Sequence, residues 1–423
     1  MNHFEYRNGE MFAEGVALKR IAQEVGTPAY VYSLAALKHQ FQIFDQAFAK
    51  VAHVVCFSVK ANSNLALLRA FAKSGSGFDI VSGGELFRAL KVGADPKKIV
   101  FSGVGKKKQE IEYALSAGIL MFNVESEQEL FVLNEIAAGI GKKAPISLRV
   151  NPDVDPQTHP YISTGMKKAK FGIDIKKSVE TYKKALSLPN IDVVGVDCHI
   201  GSQLTSLTPF VDALAKVREY LDRVLAGEMK KEGAQIRYLD LGGGLGIQYN
   251  DETPPSPEEY AKAIIQGLEG LDITLILEPG RVIVGNAGIL LTEVQYIKET
   301  DTKKFVIVDG GMNDLIRPAL YGSYQAIRPV VESKTEKIVA DVVGPICESG
   351  DFFAKDREVA RPQRGDLLAV MSAGAYGFTM ASNYNSHPKP PEVLVDGDQY
   401  YVVRKRETLE DLIHGETIPA SLQ

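Results

Sequence analysis

The stretch Val54-Val55-Cys56-Phe57-Ser58-Val59-Lys60-Ala61-Asn62 decides how the chain is read. Its unbroken run of apolar, β-prone residues predicts a strand buried on both faces, as in a parallel sheet. The run ends on a lysine, and a helical pattern follows Ser63. Burial disfavours the ammonium form, so a lysine closing such a strand is an unfavourable placement. Chemistry that needs a neutral amine, such as imine formation with a carbonyl, is the usual reason for one. On this stretch alone the alternative stands that Lys60 simply reaches out of the sheet end into water.

Working outward, a strand-then-helix rhythm repeats. Further strands are expected at 78–81, 99–102, 120–124, 146–150, 193–199, 236–241 and 274–278. Ser126-Glu127-Gln128-Glu129 and Ser256-Pro257-Glu258-Glu259 read as helix starts of the capping-box kind, the second strengthened by proline at the first helical position. With the lysine strand this makes eight, in a span close to the ~250 residues typical of a (β/α)₈ barrel. The segment 152–175, which contains Lys170-Phe171-Gly172, is too long for an ordinary connection and reads as a functional loop or lid. After Arg281 the rhythm changes. Strands at 289–297, 305–308, 338–343, 367–371 and 400–404, with turns such as Asp309-Gly310-Gly311 and Asp396-Gly397-Asp398, predict a mostly antiparallel β domain. The N-terminal residues read as a short strand and helix that complete it. The fold class is therefore α/β: a TIM-type barrel over 33–281, with 1–32 and 282–423 forming a sandwich- or barrel-like β domain.

Bulk composition excludes several classes. Of 423 residues, 45% are hydrophobic and 24% charged, and the net charge of −5 comes with dispersed basic residues. No nucleic-acid or anionic-membrane surface is implied. No apolar run is long enough to span a bilayer, and the first residues have no apolar core of a signal peptide. Cys56, Cys198 and Cys347 are too far apart for a disulfide framework or a zinc knuckle, so no metal is expected and the chain reads as cytoplasmic.

Barrels of this type place chemistry at the C-terminal ends of their strands. Here those ends carry Lys60, Asp79 and Ser82, Ser102, Asn123 and Glu125, Arg149 and Asn151, His199, Gly242-Gly243-Gly244, and Glu278 with Arg281. The glycine run offers bare backbone N–H groups to a phosphate, after the seventh strand where this fold commonly holds one. A dinucleotide fingerprint fits poorly, because the next helix starts near Ser256 rather than inside the glycine loop; a plain turn is the other reading. His199 is either a structural histidine or a ring-facing one, while Cys198 should face the opposite way and pack. Glu278 at the end of an apolar strand needs a cationic partner or a proton. A ring nitrogen would serve, and so would Arg281 as a structural ion pair. Lysine amine, phosphate cradle, ring-facing histidine and strand-end acid together fit pyridoxal 5′-phosphate, with Lys60 on its aldehyde and Glu278 at its ring nitrogen.

In these motifs the chain resembles the fold-type III, alanine-racemase-like pyridoxal-phosphate enzymes, and among them the branch that decarboxylates diaminopimelate. The resemblance spans essentially the whole chain. It is carried by Phe57 to Asn62, Ser82-Gly83-Gly84-Glu85, His199-Ile200-Gly201-Ser202-Gln203, Gly242-Gly243-Gly244-Leu245-Gly246 and Glu278-Pro279-Gly280-Arg281. In the second domain its carriers are Arg317-Pro318-Ala319-Leu320-Tyr321, Gly344 to Asp351 and Gly374-Ala375-Tyr376-Gly377.

The resemblance implies a covalent link from Lys60 to the cofactor, stacking of His199 on its ring, and cofactor contacts from Gly243, Gly244, Glu278, Pro279, Gly280, Arg281 and Tyr376. It implies that Arg281, Arg317, Tyr321 and Tyr376 bind an amino-acid substrate, that Glu348 takes its distal ammonium and that Cys347 donates a proton. It also implies a homodimer, with the Cys347-Glu348 segment entering the partner's site. By residue type alone Cys347 would be a small buried hydrophobe, but Glu348 and Asp351 are poor core neighbours. The expected reaction is decarboxylation of meso-2,6-diaminopimelate to L-lysine and CO₂. Ornithine, arginine or carboxynorspermidine decarboxylation, or a non-catalytic cofactor-binding regulator, are the alternatives.

Overall fold

Eight parallel strands organise residues 38–283: β1 (His53–Ser58), β2 (Gly77–Ile80), β3 (Ile99–Phe101), β4 (Met121–Val124), β5 (Ala144–Asn151), β6 (Ile191–Asp197), β7 (Tyr238–Asp240) and β8 (Thr274–Leu277). The computed structural model describes residues 3–155, 158, 170–226 and 235–422. β1 pairs with β2, Phe57 opposite Phe78, and on its other side with β8, Val55 opposite Leu277. Each remaining strand pairs with its sequence neighbour, so the sheet closes on itself as the sequence predicts.

Side chains two apart on a strand share a face, and that periodicity builds the interior. Cys56, Val100, Met121, Val194 and Ile276 form one apolar cluster. Two residues further on from four of them come Ser58, Ser102, Asn123 and Glu278, all buried. An apolar plug is thus overlaid by a polar layer at the C-terminal end. Burying Met121, Val194 or Ile276 contributes about 1.5–3 kcal/mol each, which offsets part of the penalty of desolvating the carboxyl groups above.

Two local readings need correction. β1 stops at Ser58, and Lys60 lies on the 3₁₀ turn Val59–Ala61 rather than on the strand. The asparagines after it supply the reason. Asn62 accepts from the Asn64 N–H, and Asn64 accepts from Ala66 N–H to start the helix Leu65–Lys73. At the other site, Ser126 accepts from Glu129 N–H, but Glu129 does not return the bond. Its carboxylate takes Glu125 N–H and Lys106 Nζ instead, at 3.0 and 2.7 Å, so a tertiary lysine outcompetes the local box. The box at Ser256 forms in full, with Pro257 leading the helix Pro257–Gly267.

Most of 152–175 lies outside the described residues, but its far end returns to the barrel. Gly172 N–H donates to Glu125, Asn151 donates to Phe171 O, and Ile173–Asp174 runs parallel to the end of β5.

The second unit joins Met1–Leu37 to Val284–Gln423. At its centre is the strand Gly288–Glu299. Its first half pairs antiparallel with Ala29–Ser33 and with Leu367–Val370, and its second half with Lys304–Val308. Of the N-terminal segment, Ala29–Ser33 lies in this sheet. Two pairings are parallel, Lys304–Val308 with Lys337–Val343 and Ala29–Ser33 with Glu392–Asp396. The N-terminus itself is a three-stranded sheet before the helix Leu18–Val25, more than the single strand expected. Its core gathers Phe4, Met11, Ile21, Val31, Ile289 and Val393.

Candidate active site

The strand ends of the barrel unit carry a continuous polar network. Lys60 Nζ lies 2.5 Å from Asp79 Oδ2, and Ser58 Oγ donates to the same oxygen at 2.7 Å. The lysine side chain is 38% exposed while Asp79 is fully buried. Lys60 is therefore an ion-paired amine at the rim, not one sealed in apolar surroundings. Beside it Glu85 accepts Val81 N–H at 2.7 Å, and burial pushes its carboxyl up to about 7.

Glu278 closes β8 and is buried. Ser102 Oγ and Asn123 Nδ2 donate to its Oε1 at 3.3 and 3.4 Å. Burial first, and then the charges of Asp240, Asp79 and Asp197, hold its carboxyl well above the usual carboxylate range. Asp240 is pushed up to about 6 by burial, and Asp197 is raised well above its ordinary value by burial and by Asp240. Arg149 is the buried counter-charge, 2.7 Å from Glu125 and 3.8 Å from Asp197. Among the described residues Arg281 makes no ion pair with Glu278. It donates to Tyr249 OH at 2.6 Å and to Ser202 Oγ at 3.1 Å.

The glycine loop after β7 is fastened to the segment after β6. Gly243 N–H donates to His199 Nδ1 at 3.1 Å, Leu204 N–H to Gly244 O, and Gln203 exchanges two bonds with Ile247. Gly242 and Gly244 have φ of +63° and +118°, and a Cβ on Gly242 would lie 2.3 Å from the His199 ring. Only glycine fits there. Burial, together with the charges of Arg149 and Lys60, holds the His199 imidazole well below its ordinary pKa. With Nδ1 accepting from Gly243, the neutral ring is fixed in orientation and cannot serve as an acid near neutrality.

The β unit carries a second group of candidates. Arg317, at the start of the short helix Arg317–Tyr321, lies over the rings of Tyr321 and Tyr376 at 5.3 and 5.9 Å. Tyr376 holds φ +54°, in the left-handed region that few non-glycine residues adopt. Cys347 is exposed, unlike Cys56 and Cys198, so the expectation from residue type alone fails for it and holds for Cys198. Its N–H donates to Asn385 Oδ1 at 2.7 Å, and Asp351 accepts the N–H groups of Met312 and Ile346 beneath it, both at 2.7 Å. Glu348 is exposed beside it.

Sequence reasoning missed Asp197, Asp240, Tyr249 and Asn385, and gave Asp79 and Glu85 no role. The two aspartates end β6 and β7, two residues before the histidine and glycines that drew notice, and their position was the available signal.

A barrel whose strand ends hold an amine, a glycine cradle and a buried acid defines a class, and the comparisons agree. Residues 34–285, more than half of the chain, match the family model described as pyridoxal-dependent decarboxylase, pyridoxal binding domain, and the chain belongs to that family. Its relatives in the family include diaminopimelate decarboxylases. A diaminopimelate decarboxylase of Pseudomonas aeruginosa is 56% identical over 418 residues, covering 99% of each chain. The diaminopimelate decarboxylase of M. jannaschii, solved in complex with L-lysine, superposes with a TM-score of 0.94 at 41% identity, covering 100% of this chain and 99% of that one. The Helicobacter pylori enzyme, also complexed with L-lysine, gives 0.90 at 45%, covering 94% and 98%.

The cofactor of the family is pyridoxal phosphate, and the residues present fit it. Asp79 Oδ1 and Asp197 Oδ1 are buried with no hydrogen-bond partner among the described residues, so the polar layer has acceptors to spare for a cationic ring. Cβ atoms on Gly242, Gly243 and Gly244 would clash with His199, Glu278 O and Gly201 O, so this loop keeps bare backbone of the kind that binds a phosphate.

Proposed function

We propose that the chain decarboxylates meso-2,6-diaminopimelate to L-lysine and CO₂. The observation that carries this reading is the likeness, over nearly the full chain, to diaminopimelate decarboxylases. When bound, pyridoxal phosphate supplies an aldehyde for the amine and a protonated ring that draws in the electron pair left behind by CO₂.

The chain's own groups do the rest. Lys60 would form the covalent link, and Asp79, in contact with its Nζ, would be placed to take the ammonium proton. Glu278, oriented by Ser102 and Asn123, would pair with the ring nitrogen. His199 would pack on the ring as a neutral imidazole. Gly243, Gly244, Pro279, Gly280 and Tyr376 would hold the cofactor, and Arg281, Arg317 and Tyr321 would take the substrate, the guanidinium forks suiting its distal carboxylate. Glu348 binds the distal ammonium, and Cys347 Sγ donates the proton that replaces the carboxylate on carbon.

Cys347 and Glu348 are exposed on one loop of their own unit. That supports a homodimer in which each chain lends this loop to its partner's barrel. Free cysteines throughout, and the absence of a membrane-length apolar helix among the described residues, suit a cytoplasmic enzyme.

Release of CO₂ from meso-diaminopimelate, ornithine, arginine and carboxynorspermidine by the purified protein with added cofactor tests the proposal. Turnover of diaminopimelate well above the others is expected. Equal or better turnover of ornithine or arginine would replace it with a broader basic amino-acid activity.

A further inference from the structure

We propose that Asp240 is a positioning residue for the cofactor, one buried carboxyl that ties the first glycine of the phosphate cradle, Gly242, to Glu278, the acid at the ring nitrogen. The inference rests on the cofactor assignment above and adds to it a residue that has no partner role in that assignment.

Asp240 is the last residue of β7, fully buried. Its Oδ1 accepts Gly242 N–H at 2.8 Å. Its Oδ2 accepts Asn123 Nδ2 at 3.0 Å, and the same amide nitrogen reaches Glu278 Oε1 at 3.4 Å. Asn123 is in turn held by Ser147 Oγ, 2.6 Å from its Oδ1. The backbone repeats the connection, since Glu278 N–H donates to Gly242 O at 2.8 Å.

Gly242 is the residue that most needs such a tie. At φ +63° it turns the chain from the strand into the loop, and it packs against His199 with no space for a Cβ. A carboxylate two residues earlier that captures the Gly242 N–H is an Asx-type clamp on that turn. The other end of the same carboxyl holds Asn123 Nδ2, which in turn reaches Glu278 Oε1. The two ends of the cofactor, phosphate and ring nitrogen, are therefore both tied to one group. Because both oxygens of Asp240 accept, asparagine at this position can keep only one of the two ties.

The test measures affinity of the cofactor-stripped, full-length protein for pyridoxal phosphate and for pyridoxal, which lacks the phosphate. Asp240→Ala breaks both ties. It is expected to weaken pyridoxal phosphate about 100-fold and to narrow the ratio between the two ligands by about tenfold, the scale of losing charge-assisted bonds. Glu278→Gln acts at the ring end and should weaken both ligands alike, leaving the ratio at its wild-type value. A role limited to fold stability would lower both affinities without moving the ratio. A wild-type ratio in Asp240→Ala overturns the inference. If that variant does not fold, Asp240→Asn decides: weakened pyridoxal phosphate binding supports the inference, and wild-type affinity overturns it. A wild-type protein that binds no pyridoxal phosphate would instead sink the cofactor assignment itself.

Discussion

The strand-end network of the barrel and the Cys347 loop of the β unit handle charge in opposite ways. In the barrel, Asp79, Asp197, Asp240 and Glu278 are buried together, with Lys60 and Arg149 as counter-charges and Asn123 as a hub of donors. Burial raises the carboxyl groups of three of them. In the β unit, Cys347 and Glu348 sit exposed, and what is fixed beneath them is backbone, through Asn385 and Asp351. The first arrangement is preorganised, so removing one member disturbs the others. The second presents its side chains in water and gains a low-dielectric setting only when another surface covers it.

That contrast can be broken by mutation, beginning with the largest effect. Lys60→Ala should lose both turnover and the visible colour of bound cofactor; absorbance that persists would remove the lysine from the chemistry. Cys347→Ala comes next. Loss of a positioned proton donor lowers rates by about 10²–10⁴-fold, and here kcat should fall while the cofactor spectrum stays unchanged. Mixing Lys60→Ala with Cys347→Ala chains then probes the shared site. If each chain lends its loop, mixed dimers regain one intact site, about a quarter of wild-type activity in an equal mixture. No recovery after subunit exchange would confine the loop to its own chain.

Glu348→Gln should reduce kcat/KM for diaminopimelate by about 10–100-fold, as for one lost charge-assisted bond, with cofactor affinity intact. A parallel loss of cofactor would move Glu348 out of substrate recognition. The smallest effect concerns the cofactor-free barrel. The Asp240 carboxyl is raised from 3.8 to about 6, so the folded state holds a proton that the unfolded chain has released. The stability it contributes is complete below about pH 4 and is lost as pH rises through about 6. The melting temperature of wild type relative to Asp240→Asn should therefore fall by a few degrees over that interval. A constant difference across it would remove Asp240 as the titrating group. His199, with its lowered value, works in the opposite direction and is common to both proteins.

Much of this was legible in the sequence because it follows a period. Apolar runs ending in polar residues gave the barrel strands, and the glycine run after Asp240 gave the cradle. What escaped notice depends on partners remote along the chain. Asn123 meets Asp240 across 117 positions, and nothing local in the sequence pairs them. Lys106 diverted Glu129 from its cap in the same way. The strand Phe352–Ala360 went unread because Lys355, Asp356, Arg357 and Glu358 look like a solvated turn; it lies at the edge of its sheet, where charge is usual. The burial of Asp79 at the lysine likewise has no sequence signature, and it reverses the expectation of an apolar setting for Lys60.

The account turns on Lys60 as the point of covalent attachment, and borohydride reduction measures that directly. Protein mixed with pyridoxal phosphate, reduced and digested should yield a single pyridoxyl-lysine, in the peptide that contains Lys60. A label spread over surface lysines, or fixed at another single lysine, would contradict it.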